Sequence, residues 1–286
     1  RPKRMPLSAV QDWIAALGDI VMSAPTLPEL VLYDFAVRPE RPELDSYSSY
    51  VLKVHRALQW LGLRYRCEGV APQAIRRYNP VGQLPVLRVD AEPVADSTHI
   101  LHRLHGLRPG GLVPGLDARA QAEAWLWEDF GDSAIYPLVL AARWADDDNW
   151  ARLRARVFVS VPRLVRGAIA GQVRRQVLQA LRQRDVTRAG KSACWAHLEA
   201  MLDHLEARAP VQGYWLGARP SVADLSLYAH IGSLRCPELT PRQHSWVQAR
   251  SRLSGYLDRV DQATRNQSVL RTDQMPIVDI SSLPAA

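Results

Sequence analysis

The sequence is poor in cysteine, and it has no long uncharged apolar run. Its three cysteines, Cys67, Cys194 and Cys236, lie far apart and form no Cys-x-x-Cys pair. That spacing argues against a disulfide framework and against a zinc site built on paired cysteines, and it favours a reducing compartment, the cytoplasm. No window approaches the roughly 18 uncharged apolar residues of a membrane helix, so none is expected to span a bilayer.

Lysine is almost absent. Lys3, Lys53 and Lys191 are the only lysines among 36 basic residues, and the formal net charge is +7. Arginine is therefore the general surface cation, and the arginines crowded between residues 152 and 188 lack the alternating aromatic residues of a single-strand nucleic-acid platform. Neither a nucleic acid nor a membrane surface is expected as a partner.

The length and composition indicate two globular domains with an extension at each end. The chain has 286 residues, of which 47% are apolar and 23% charged, a balance typical of ordinary globular proteins. Apolar residues at helical spacing predict an amphipathic helical extension over residues 1–28, which Pro25 and Pro28 close. Residues 264–286 are predicted to be a polar tail.

Residues 29–107 have the pattern of an α/β domain. Apolar, β-prone runs predict strands over residues 30–33 and 65–70, and the helix between them, over residues 50–61, ends at Gly62. A hairpin of residues 86–89 and 93–94 and a helix over residues 97–107 complete the unit. Residues 108–116 contain Pro109, Gly110 and Gly111 and are predicted to be a linker.

Residues 117–263 are predicted to form an all-α domain. Apolar periodicity indicates seven helices in this part of the chain. The predicted helices cover residues 120–130, 133–144, 150–170, 173–181, 192–207, 221–234 and 245–263.

The most informative motif is the segment Asn-Pro-Val-Gly-Gln-Leu-Pro-Val-Leu at residues 79–87. Pro85 cannot donate to a central ladder and therefore belongs at a strand start or an edge, and the Leu84–Pro85 bond is predicted to be cis. Free main-chain groups of Leu84 can then pair with an extended peptide. Asp96 and Ser97 start the next helix, whose free N–H groups suit an anionic group.

Together with its flanking strands and helices, this segment resembles the amino-terminal domain of the glutathione transferases over residues 29–107. A second stretch, residues 217–224, is similar to the helix-capping segment of the family's helical domain, with Ser221 at N-cap and Asp224 at N3. The resemblance implies a thioredoxin-like domain followed by a helical domain. It also implies a homodimer that binds glutathione and directs the glutathione thiolate to an electrophilic, apolar small molecule.

The resemblance places Ser48 at the start of the first helix, where serine-type members carry the catalytic hydroxyl. Ser46, Tyr47 and Ser49 compete for this role because the long preceding loop shifts the register. Tyr33 is a further rival, since tyrosine-type members carry a tyrosine near the first strand. A serine before a helix is also an ordinary N-cap.

The same resemblance assigns the residues that would hold glutathione. The main chain of Leu84 and Pro85 would bind the cysteinyl unit, and Asp96 with Ser97 the γ-glutamyl head. Gln83, Arg76 and Arg77 are the candidate contacts for the glycyl carboxylate, and Gln83 is the one assigned to glutathione binding.

No metal site is expected, because His99, His102 and His105 drift around their helix at steps of three. Five aromatic residues of the helical domain are candidates for an acceptor pocket: Trp125, Trp127, Phe130, Tyr136 and Trp144. Two alternatives stay open, a non-catalytic binding or interaction protein of the same fold and a glutathione-dependent lyase or isomerase.

Overall fold

The computed structural model describes residues 27–36, 44–159, 161–266 and 271–274, the last four by their backbone. The amphipathic extension, predicted over residues 1–28, lies outside the described residues except for its last two positions. No helix of the described segments is long and apolar enough to cross a membrane.

The first domain is a sheet covered by helices, as the resemblance implied. Its strands are β1 (Leu30–Phe35), β2 (Tyr65–Val70), β3 (Val86–Val89) and β4 (Glu92–Ala95), and its helices are α1 (Ser49–Trp60), α2 (Ile75–Tyr78) and α3 (Ser97–Leu107). A fifth strand, β5 (Arg271–Gln274), completes the sheet in the order β4-β3-β1-β2-β5. β1 is parallel to β2 and antiparallel to β3, so the sheet is mixed.

β5 lies inside the segment that was expected to be only a polar tail. It runs parallel to β2, with Tyr65 opposite Arg271 and Glu68 opposite Gln274. An edge strand presents a row of main-chain donors and acceptors that another strand can satisfy whatever its side chains are. A polar sequence therefore pairs here without any apolar alternation.

The second domain is helical throughout. Its helices are α4 (Ala118–Phe130), α5 (Tyr136–Trp144), α6 (Asp147–Val157), α7 (Arg163–Gln183), α8 (Lys191–Arg208), α9 (Val222–Gly232), α10 (Pro241–Gln248) and α11 (Ser251–Thr264). All eleven residues of α9 are buried, so this helix forms the centre of the domain and packs against α1, α4 and α11.

Two helices that were predicted to be continuous in this domain are divided. The helix expected over residues 150–170 is divided, because Pro162 stands just before α7 and a proline inside a helix removes a hydrogen bond and clashes with the preceding turn. The helix expected over residues 245–263 is also divided, with Ala249 and Arg250 between α10 and α11.

The predicted cap of α9 is present. Ser221 is the N-cap residue, and the Asp224 carboxylate accepts hydrogen bonds from the Ser221 N–H and hydroxyl at 2.8 and 2.9 Å. It also accepts from the Trp215 N–H and the Tyr256 hydroxyl, each at 2.7 Å. A buried carboxylate with four donors fixes both the start of α9 and its position against α11.

Candidate functional site

The Leu84–Pro85 peptide bond is cis, as predicted, and it lies directly before β3. Asn79 shapes the turn in front of it, because its side-chain amide donates to the Gln83 carbonyl at 2.9 Å and its side-chain oxygen accepts from the Val81 N–H at 3.1 Å. Within the described residues, neither the N–H nor the C=O of Leu84 has a hydrogen-bond partner. Both are free to pair with an extended peptide.

Asp96 starts α3 from a left-handed backbone conformation, with φ +77°. Its Oδ1 accepts hydrogen bonds from the Thr98 and His99 N–H groups at 2.9 and 3.3 Å. The Asp96 side chain is exposed, whereas Ser97 is buried. The Oδ1 atom of Asp96 therefore caps α3, and the Oδ2 atom takes no part in these two hydrogen bonds.

Ser48 is the N-cap residue of α1. Its Oγ accepts from the Val51 N–H at 3.4 Å, and its side chain is half-buried. Because a hydroxyl that accepts a capping bond still has its own proton, Ser48 can donate to a second group.

The rivals of Ser48 are placed differently. The Ser46 hydroxyl is buried and donates to Asp34 Oδ1 at 2.8 Å, and the Ser49 hydroxyl is buried against His230 Nδ1 at 3.0 Å. Tyr47 is buried, and its carbonyl accepts from Arg143. Tyr33 is buried against the Tyr78 ring. Of the four consecutive candidates at residues 46–49, only Ser48 has a side chain that is not buried.

Lys53 of α1 is fully buried and points into the helical domain. Its Nζ lies 2.5 Å from Glu128 Oε1 and 2.7 Å from Asp132 Oδ1. Asp132 Oδ1 also lies 2.8 Å from His230 Nε2, and the Thr98 hydroxyl donates to Glu128 at 2.9 Å. We call this set the interdomain cluster; it consists of Ser49, Lys53, Thr98, Glu128, Asp132 and His230.

A π-helical turn, Gly131–Ile135, carries Asp132 into this cluster between α4 and α5. Gly131 allows a close approach there, because a Cβ at this position would overlap the Ser226 hydroxyl oxygen of α9 and would force that side chain to move. Single π turns inside α-helices often occur at functional positions. The close approach of α9 at Gly131 is also what brings His230 to Asp132.

Burial and neighbouring groups shift the pKa values of three members of the interdomain cluster. Burial works to raise the pKa of Asp132, but the His230 hydrogen bond and Lys53 outweigh it and lower that pKa. Burial raises the pKa of Glu128, partly against Lys53. Burial also lowers the pKa of His230. A neutral His230 donates through Nε2 to Asp132 and accepts the Ser49 hydroxyl at Nδ1.

The other candidates do not gather in one place. Gln83 is exposed at the turn before Leu84. The five aromatic candidates fall into separate groups: Trp125 stacks on His102, Trp127 contacts Phe130 and Trp215, and Trp144 packs with Trp150 and Phe158. Of the five, only Tyr136 lies beside the interdomain cluster, with its ring centroid 5.7 Å from that of His230. The Tyr136 ring also lies 4.3 Å from that of Tyr50.

Sequence reasoning missed Lys53, Asp132 and His230. The one signal was the rarity of lysine, since Lys53 stands among apolar residues of a helix with no acidic residue in its first turn. Lysine is almost never fully buried unless it is paired. That signal indicates a buried partner but does not identify it.

Comparison with known proteins shows which family the chain belongs to. Residues 45–111 match the family model "Glutathione S-transferase, N-terminal domain", and residues 172–259 match "Glutathione S-transferase, C-terminal domain". The two matches together span more than half of the chain. The chain is therefore a member of the glutathione transferase family, and the predicted fold class, a thioredoxin-like domain with a helical carboxy-terminal domain, is confirmed.

Individual relatives are more distant. Glutathione transferase GST 23 of Zea mays is 35% identical over 105 residues, which are 33% of this chain and 47% of the relative. The chain thus matches about half the length of that relative. Glutathione transferase GSTFuA3 from Phanerochaete chrysosporium superposes with a TM-score of 0.58 at 20% identity, covering 87% of this chain and all of the other. A Ceriporiopsis subvermispora glutathione S-transferase, solved in complex with glutathione, gives a TM-score of 0.57 at 15% identity over 82% of this chain and 97% of the other.

Proposed function

We propose that this protein is a glutathione transferase in which Ser48 activates the thiol of glutathione for attack on an electrophilic, apolar small molecule. The thiolate sulfur forms a bond to an electrophilic carbon, by addition or by displacing a leaving group that departs with its electron pair. The thiol proton goes to solvent. Family membership supports glutathione as the co-substrate, and it also supports a homodimer in the cytoplasm.

The observation that carries the proposal is the half-buried hydroxyl of Ser48 at the positive end of α1. A free thiol has a pKa near 8.5 and is only a few per cent ionised at neutral pH. A hydroxyl donor and a helix N-terminus both stabilise the thiolate and lower its pKa. Ser46 and Ser49 are turned to other partners, which leaves this role to Ser48.

The remaining assignments rest on the main chain and on the start of α3. The free N–H and C=O of Leu84 would pair with the cysteinyl unit as a short added strand, with Pro85 fixing the edge. Asp96 and Ser97 would hold the γ-glutamyl head at the helix N-terminus. Exposed Gln83 would bind the glycyl carboxylate.

The contacting rings of Tyr50 and Tyr136, tilted by 46° to each other, support an apolar acceptor. Tyr50 follows Ser48 by two residues on α1, and Tyr136 begins α5 in the other domain. Ligand sites occur preferentially between domains and are lined mainly by apolar and aromatic side chains.

The test is calorimetric titration with glutathione, followed by a thiol titration of the complex read by thiolate absorbance. The bound thiol should have a pKa about 1–2 units below that of free glutathione. Ser48→Ala should return that pKa towards the free value, and each unit lost means about ten-fold less thiolate at neutral pH. Ser97→Ala should weaken binding itself.

Ser245→Ala is the matched control, because this exposed serine only donates to the Arg242 carbonyl in α10. It should change neither the affinity nor the thiol pKa. Binding with an unshifted thiol would instead support a non-catalytic member of the family. Absence of binding would contradict both the enzyme and the glutathione site.

A further inference from the structure

A second buried cluster lies inside the thioredoxin-like domain, on the opposite side of α1 from the helical domain. It consists of Asp34 of β1, His55 of α1 and Cys67 of β2, all almost completely buried. We call it the sheet-face cluster. The proposed function uses none of these three side chains.

The strand register explains why the three residues meet. Leu32 and Cys67 are opposite each other in the parallel pair of β1 and β2, and Asp34 follows Leu32 by two residues. Since side chains alternate between faces, Asp34 and Cys67 lie on the same face of the sheet. α1 packs over that face and brings His55 onto them.

The donor atoms are close enough for one metal ion. One carboxylate oxygen, one imidazole nitrogen and the thiol sulfur all lie within 4.8 Å of one another. His55 Nε2 and Asp34 Oδ2 are 3.3 Å apart. Ligand atoms of a tetrahedral zinc ion are separated by about 3.3–3.6 Å, as its bond lengths of about 2.0–2.3 Å require. Small side-chain shifts therefore suffice to complete the geometry.

Hydrogen bonds to neighbouring residues orient the imidazole and the carboxylate of the sheet-face cluster. His55 Nδ1 lies 2.7 Å from the Tyr65 hydroxyl, which leaves Nε2 directed at Asp34. Asp34 Oδ1 accepts from the Ser46 hydroxyl at 2.8 Å and from the Phe35 N–H at 2.6 Å, which leaves Oδ2 directed at His55. Metal-binding histidines and carboxylates in proteins are held in this way by hydrogen bonds to their second atoms.

The electrostatics of the cluster also suit a cation. Among the described residues, the one ion pair of Asp34 is with His55. A zinc ion would displace the protons of the His55 ring nitrogen and the Cys67 thiol, and the carboxylate, thiolate and neutral imidazole that remain carry two negative charges, which a divalent ion neutralises.

We propose that Asp34, His55 and Cys67 bind a structural zinc ion that ties β1, β2 and α1 together. The set of one sulfur, one nitrogen and one oxygen ligand fits a borderline-soft ion such as zinc and fits magnesium or calcium poorly. A water molecule would complete the fourth position. Burial of all three ligands makes the site closed, so the ion enters as the chain folds.

The experiment uses the full chain, unfolded, stripped of metal with a chelator and refolded with Co²⁺, a spectroscopic substitute for zinc. Metal content is measured by mass spectrometry and cobalt–thiolate bonding by charge-transfer absorption in the near ultraviolet. We expect about one cobalt per chain and a charge-transfer band. Cys67→Ser should abolish the band and weaken cobalt binding by at least about 100-fold.

Cys194→Ser and Cys236→Ser are the matched controls, because both cysteines are buried and free but lie outside the cluster. Both variants should keep the metal and the band. A parent protein that refolds without cobalt would overturn the proposal and leave a metal-free Asp34–His55 ion pair. Equal binding by Cys67→Ser would also overturn it. These readouts are independent of glutathione, so the proposed function can fail without this site failing.

Discussion

Two buried polar clusters flank α1, and they solve the problem of buried charge in different ways. The interdomain cluster contains a lysine, Lys53, and its Asp132 carboxylate is 18% exposed. The sheet-face cluster has neither a lysine nor comparable exposure, and its Asp34 is paired with His55. The same twelve-residue helix supplies the cation to both.

The two clusters also differ in the protonation of their histidines. Lys53 already balances Asp132, so burial dominates at His230 and lowers its pKa. In metal-free protein, burial works to lower the pKa of His55, but Tyr65 and the hydrogen bond to Asp34 outweigh it and raise that pKa, so His55 carries the positive charge beside Asp34. The comparison teaches that an aspartate–histidine contact does not by itself fix the charge of the imidazole, because burial and the other neighbours of the ring also shift its pKa.

The largest expected effect comes from removing the lysine. Lys53→Met keeps the length of the side chain but leaves Glu128 and Asp132 buried without their cation. Breaking a buried pair in this way costs about 3–5 kcal/mol of the free energy of unfolding. Denaturant unfolding measures it, and the loss should be greatest above the pKa of both carboxyl groups.

Lys191→Met is the matched control, because Lys191 forms an exposed ion pair with Asp147. Exposed pairs contribute about 0–1 kcal/mol. If the two lysine variants lost similar stability, the interdomain cluster would not depend on the lysine, and the comparison with the sheet-face cluster would fail.

The elements of the fold that the sequence predicted well are locally encoded. β2 and α3 have the predicted bounds, since an apolar pattern and a capping residue are both contained in a short window. The Leu84–Pro85 edge and the Ser48 cap are likewise encoded by a few neighbouring residues of the sequence. The predicted helices over residues 150–170 and 173–181 left a gap at Gly171 and Gln172, yet α7 continues through both residues, since a glycine inside a helix costs only roughly 1 kcal/mol.

The buried clusters could not be predicted because their members are distant in sequence. Lys53 and Asp132 are 79 positions apart, and His230 lies 98 positions beyond Asp132. Spacing shows a metal or ion-pair site only when its residues share one helix, strand or loop. Asp34, His55 and Cys67 lie on three different elements, so the absence of paired cysteines carried no information about them.

The two histidines should respond to pH in opposite directions. In metal-free protein, the raised pKa of His55 stabilises the fold fully below about pH 6.5, the unfolded value, and this stability is lost as pH rises through the folded pKa. The lowered pKa of His230 has the opposite sign, because its favourable state is present above about pH 6.5 and stability is lost as pH falls towards the folded pKa.

Denaturant unfolding of the parent, His55→Gln and His230→Gln between about pH 5 and 8 tests this difference. The cost of His55→Gln should shrink with rising pH, and that of His230→Gln should shrink with falling pH. Each variant controls for the other. Parallel profiles would contradict the assignment of opposite charge states.

The smallest expected effect is the difference in stability between removing one serine hydroxyl from the sheet-face cluster and removing one from the interdomain cluster. Ser46 donates to the Asp34 carboxylate, whereas Ser49 donates to the neutral His230 ring. Hydrogen bonds to charged groups contribute about 1.5–3 kcal/mol and those between neutral groups about 0.5–1.5 kcal/mol, so Ser46→Ala should destabilise the protein by about 1 kcal/mol more than Ser49→Ala. Denaturant unfolding at neutral pH measures both variants. Equal losses would mean that Asp34 and His230 do not differ in charge as proposed, and a larger loss for Ser49→Ala would place the charged histidine between the domains.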